Sequence, residues 1–177
     1  MLLAITFTLW IAVSAAVHRY LSKTLPPAIH VMAGAMAVGL GAVGFVNLLQ
    51  VHLMPVTRTY SDTYYAVSKG YFWLNMASFY LVAAGLALLI WKLARGLPKR
   101  LLVSAFWAFH IGAGAVVVPA AIAPYLIPKR YVDFPDSLYW STMMSSFGAQ
   151  LIFLGAACLL TLAIIALGQR LLQGRVG

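Results

Sequence analysis

Polar and charged residues along the chain gather into short clusters, and between them lie apolar runs of about twenty residues. A run of that length with few charges predicts a membrane-spanning helix, because only a helix satisfies its own backbone hydrogen bonds in lipid at that length. The pattern predicts about five of them, over residues 2–20, 27–51, 63–91, 101–125 and 141–167. The fold class is therefore all-α and polytopic, with the chain forming a single membrane domain over residues 1–177.

The boundaries carry their own signals. His18, Arg19 and Lys23 close the first helix, and Pro26 and Pro27 open the second. Small residues four apart on the second, Ala35 with Gly39 and Ala37 with Gly41, predict a face that another helix can approach closely, in this chain or in a partner. The third helix has an aromatic end made of Tyr64, Tyr65, Tyr71, Phe72 and Trp73. Pro119 predicts a kink in the fourth. The N-terminus begins apolar without a basic region ahead of it, so the first run reads as a transmembrane helix rather than a cleaved signal.

Composition changes this picture little. The chain is 63% hydrophobic and 8% charged, with a formal net charge of +9. The bases sit in short loops between spans, which points to anionic lipid rather than nucleic acid as their partner. Their distribution sets an orientation. With the N-terminus outside and the C-terminus inside, Arg19, Lys23, Lys92, Arg95, Lys99, Arg100, Arg170 and Arg175 fall inside. Arg58, Lys69, Lys129 and Arg130 fall outside, together with Asp62, Asp133 and Asp136. The lone cysteine, Cys158, excludes an internal disulfide and a thiolate cluster and reads as a small apolar core residue. The chain has no glutamate, which excludes a carboxylate-bridged di-metal centre, and no nucleophile–base pair, phosphate loop or HExxH motif is present.

Two motifs carry more information. Between the fourth and fifth runs the chain reads Pro128-Lys129-Arg130-Tyr131-Val132-Asp133-Phe134-Pro135-Asp136, followed by aromatic residues and Ser145-Ser146-Phe147-Gly148. Upstream stands Asp62-Thr63-Tyr64-Tyr65-Ala66-Val67, and between the two lie Phe106, Gly112 and Pro119. In this order they resemble the last helices of heme-copper oxidase subunit I, over roughly residues 27–165 and more loosely the first helix. That is the last third or so of a full subunit. The resemblance implies that Lys129 and Arg130 stand where the family binds haem propionates. It also implies a loss: the two axial haem histidines that follow the DTYY motif are here Lys69 and Tyr71, and the histidine before its Asp is Ser61. The helices that carry the family's copper ligands have no counterpart in this chain.

Four residues remain as candidates for cofactor binding: Lys129, Arg130, His110 and Lys69. Lys129 and Arg130 suit an anion, either a lipid phosphate or the propionates of a neighbouring subunit's haem, and serve equally as an ordinary positive loop end. His110 lies near mid-membrane, where an ionisable group is a functional hypothesis by default. It reads either as a neutral histidine hydrogen-bonded to another helix or as a haem or metal ligand, although His18, His30 and His52 sit at the interfaces and offer no bis-histidine partner at its depth. Lys69, on the helical face of Asp62, either snorkels outward toward that carboxylate or serves as a proton relay or a cation in the vacated haem site. His18 and His30 could pair at the inner surface, and also read as solvated loop residues. No metal and no resident cofactor is expected in isolation, haem being the one these residues could hold.

The expected function is a non-catalytic, subunit-I-like membrane subunit or accessory protein of a respiratory electron-transfer complex in the cell (inner) membrane. Its partners would be membrane lipid and the other subunits, without nucleic acid. A small redox membrane protein with a rebuilt haem or metal site, and an oxidase assembly factor, are the alternatives.

Overall fold

The computed structural model describes residues 2–24, 28–53, 60–93, 99–126 and 136–173, and the side chains of 2–23, 28–49, 70–93, 99–122 and 139–172. Five helices account for all of them: α1 (Leu2–Thr24), α2 (Ala28–Leu53), α3 (Tyr60–Leu93), α4 (Lys99–Leu126) and α5 (Asp136–Gln173). Each is long and apolar enough to cross a membrane. The described chain is thus all-helical, as its apolar runs predict.

α3, α4 and α5 outrun those apolar stretches at both ends, and α1 and α2 at their C-terminal ends. α3 begins at Tyr60, so the DTYY segment forms its opening turns, and α5 begins at Asp136. At 34 residues α3 is about 51 Å long and exceeds a hydrocarbon core of about 30 Å. The backbone keeps its hydrogen bonds whether or not the side chains are apolar, so a helix does not stop where hydropathy falls.

Two antiparallel hairpins, α2–α3 and α4–α5, make the most extensive contacts; α1 lies against α4 and α2, and α3 joins the hairpins by touching α5 and α4. Glycines allow the close crossings. A Cβ on Gly112 would lie 2.6 Å from the Gly148 carbonyl oxygen, and one on Gly148 would lie 2.6 Å from that of Gly112. Gly155 sits against the Phe109 backbone in the same hairpin. Between α2 and α3 the equivalent positions are Gly44, over Leu74, and Gly70, over Leu48.

The small-residue face expected on α2 is only partly used within the chain. Ala37 is buried and a Cβ on Gly41 would be in ordinary contact with Ala77, but Ala35 and Gly39 face outward, and among the described residues nothing lies within 4 Å of where a Gly39 Cβ would stand. Cys158 also departs from its expectation. It is exposed on α5 and lines an open apolar groove beside α4 instead of the core. The core is built mainly from alanines and a few large rings, with Tyr80, Phe106 and His110 wholly buried. α4 runs on through the buried Pro119, whose missing N–H cannot bond the Ala115 carbonyl.

Candidate functional site

One polar cluster lies inside the apolar bundle, and its centre is His110. The residue is twelfth of the 24 in the Lys99–Ile122 span, hence at mid-membrane, and its side chain is 0% exposed. A polar ring at that depth must find its partners in protein, because lipid offers none. It finds one on each of two other helices. Nδ1 lies 2.6 Å from Oη of Tyr80 on α3, and Nε2 lies 2.8 Å from Oγ of Ser14 on α1. With the phenol, the more acidic group, donating to Nδ1, the ring's Nε2–H donates to Ser14, and a neutral imidazole uses both nitrogens.

The two ring faces are covered as well. Trp10 stacks on His110 with centroids 5.2 Å apart and planes inclined 19°, and Phe106 stacks at 5.7 Å and 16°. Trp107 and Tyr80 meet it edge-on at 5.5 Å and 5.7 Å. Trp10 fits only because α4 carries a glycine beneath it: a Cβ on Gly114 would lie 2.6 Å from Trp10 Cδ1. The indole Nε1 is buried there without a hydrogen-bond partner.

Local helical geometry assembles this cluster. Trp10, Ser14, His18 and Leu21 recur at spacings of four, four and three, which places them on one face of α1. That face meets α4, while Leu9 and Val13, turned away from it, are exposed, as is Val17 at its edge. On α4, Phe106, Trp107, His110 and Gly114 share a face by the same rule.

The remaining histidines find separate partners. His30 Nδ1–H donates to the Ala84 carbonyl at 3.2 Å, and His18 packs edge-on against Trp107 at 5.7 Å. Among the described residues no three His, Cys, Asp or Glu side chains gather as a metal site would require. Lys129 and Arg130 lie outside the described residues. Lys69 falls in α3, with its side chain outside them.

Haem ligation requires an imidazole nitrogen free to meet the iron. His110 as arranged has none, since an iron could bind only by displacing Tyr80 or Ser14, and the rings stacked on both faces leave no slot beside it. The cluster therefore does not fit an axial haem site. It is suited to tying α1, α3 and α4 together at one depth.

Cytochrome c oxidase subunit 1 of Cereibacter sphaeroides is 30% identical to this chain over 113 residues. The chain resembles an oxidase subunit. The match takes in 63% of the chain but only 20% of that relative, so the chain corresponds to about a fifth of the oxidase subunit's length. No family model and no solved structure matches. Five candidate spans together with this similarity make the chain an oxidase-subunit-like, multi-pass membrane protein.

Sequence reasoning reached His110 but not its companions. Tyr80, Ser14 and Trp10 were hidden among many aromatic and hydroxyl residues in apolar runs, although the Trp10–Ser14–His18 spacing was a usable signal.

Proposed function

We propose that this chain is a non-catalytic membrane subunit or accessory protein of a respiratory electron-transfer complex, shaped like part of oxidase subunit I. The observation that carries the reading is the 30% identity to cytochrome c oxidase subunit 1 in a chain whose mid-membrane histidine has both nitrogens engaged by Tyr80 and Ser14. Three further features support it. The family's haem-ligand positions hold Lys69 and Tyr71, and Tyr71 is 57% exposed on α3. The outward Ala35 and Gly39 positions of α2 leave a small-residue strip for a catalytic partner's helix. The base count favours an N-terminus outside, and with that orientation Lys129 and Arg130 would belong to the outer side of the cell (inner) membrane, the side proposed for a partner's cofactors.

The test is to tag the C-terminus, extract the chain from native membranes in mild detergent, and identify what remains bound by mass spectrometry. Stoichiometric recovery with oxidase or reductase subunits is expected. Recovery of the chain alone overturns the proposal. Recovery only with immature complexes would assign it to assembly instead. A rebuilt redox site would instead show a haem absorption band in the isolated chain, lost in His110→Ala.

A further inference from the structure

A second polar locus lies away from His110, at the end of the bundle where α1, α3 and α5 finish and α2 and α4 begin. There a cleft of about 230 Å³ opens among α1, α2, α3 and α4. Its floor is apolar, with Ile29 and Leu102 among its residues, and Trp91 stands at its side. Its polar members are His18, Ser22 and Lys99. The same end carries Arg19, Lys23, Lys92, Arg100 and Arg170, and among the described residues no aspartate or glutamate falls on it.

We propose that this cleft is a binding site for one anionic phospholipid of the membrane that the chain spans. The argument is one of matched chemistry. Lys99 opens α4 and Lys23 lies near the end of α1, so the cleft is at the depth where lipid headgroups meet water. The Lys99 ammonium and the His18 imidazole supply donors to a phosphate diester, with the Lys99 charge favouring an anion over a zwitterion. Ser22 already donates to the Arg19 carbonyl at 2.9 Å, which turns its lone pairs to the role of acceptor and suits a headgroup hydroxyl. The apolar floor takes the upper part of an acyl chain. A diffuse basic surface has no such floor, and an inorganic anion has no use for it. The site does not depend on the proposed function or on which side of the membrane this end faces.

The experiment uses the full chain in non-ionic detergent, with native mass spectrometry counting the lipids bound as dioleoyl phosphatidylglycerol or dioleoyl phosphatidylcholine is titrated in. The expected result is a first phosphatidylglycerol that binds ahead of all others, and ahead of phosphatidylcholine. Lys99→Gln, an exposed position that leaves the fold intact, weakens that first step roughly fivefold, the factor for one basic side chain near an anionic surface. His18→Phe keeps the contact with Trp107, removes the ring N–H and weakens it in the same direction. Arg170→Gln, at the same end but outside the cleft, leaves the first step unchanged. Equal weakening by Arg170→Gln overturns the proposal in favour of diffuse attraction. So does indifference to Lys99→Gln, equal binding of the two lipids, or displacement by millimolar inorganic phosphate, which would mark a site for free anions.

Discussion

At the scale of single residues, His110 illustrates how a polar group is tolerated at mid-membrane. Both nitrogens are used and both faces are covered, so the ring acts as a three-way fastener between helices. Removing one partner strands a nitrogen that lipid cannot satisfy. Tyr80→Phe is therefore expected to destabilise the chain by about 1 kcal/mol, in the range for interhelical hydrogen bonds in membranes, as a lowered unfolding midpoint in mixed detergent–SDS micelles. Restoring apolar symmetry with Tyr80→Phe and His110→Phe together recovers part of the loss, because no imidazole nitrogen is then left unpaired. A double variant that is the sum of the two single losses would sink the fastener role. Gly114→Ala acts on the same cluster from below. Its methyl displaces Trp10 from the His110 face, an overpacking cost of about 1–3 kcal/mol. His110 itself was legible in the sequence as a polar residue deep in an apolar run. Its partners were not, because a hydrogen bond between residues 96 positions apart leaves no mark on either segment.

At the scale of helices, crossings are decided by which glycines lie where two backbones meet. Gly112 and Gly148, two positions that carried the resemblance to oxidase subunit I, prove to face one another across the α4–α5 crossing. There the added side chain meets backbone, which cannot rotate away. Gly148→Leu is expected to part the hairpin and prevent recovery of monodisperse protein by size-exclusion chromatography. At Gly39 an added Cβ meets nothing within 4 Å among the described residues, and Gly39→Leu is expected to leave thermal stability unchanged. In native membranes the same Gly39→Leu change is expected to reduce co-purification with respiratory subunits; full retention would remove Gly39 from the partner surface. Spacing alone had marked Ala35–Gly39 and Ala37–Gly41 as equals, since sequence periodicity identifies a small-residue stripe without saying which neighbour it meets.

For the whole molecule, five spans arranged as two hairpins plus α1 leave the two ends of the bundle chemically different. Bases concentrate where α1, α3 and α5 finish, and that asymmetry predicts that this end faces the cytoplasm. A green fluorescent protein fused to the C-terminus should be bright, and alkaline phosphatase inserted near Arg58 should be active; the opposite pair of results would invert the topology. The same asymmetry gives the anionic-lipid cleft its setting. The similarity to cytochrome c oxidase subunit 1 extends over a fifth of that protein, so assembly with other subunits is the natural test of function at this scale.

The sequence by itself determined the class of fold, the number of described spans and the distribution of charge between the bundle's ends. These follow from run length, backbone hydrogen bonding in lipid and loop composition, all local properties. Tertiary structure alone decided that His110 is held by Tyr80 and Ser14, that Cys158 faces outward, and that Gly112 rather than Gly39 lies at a close crossing within the chain. Helices that are apolar all round carry little periodic signal of which face turns inward, so their rotation is settled only when neighbouring helices pack together.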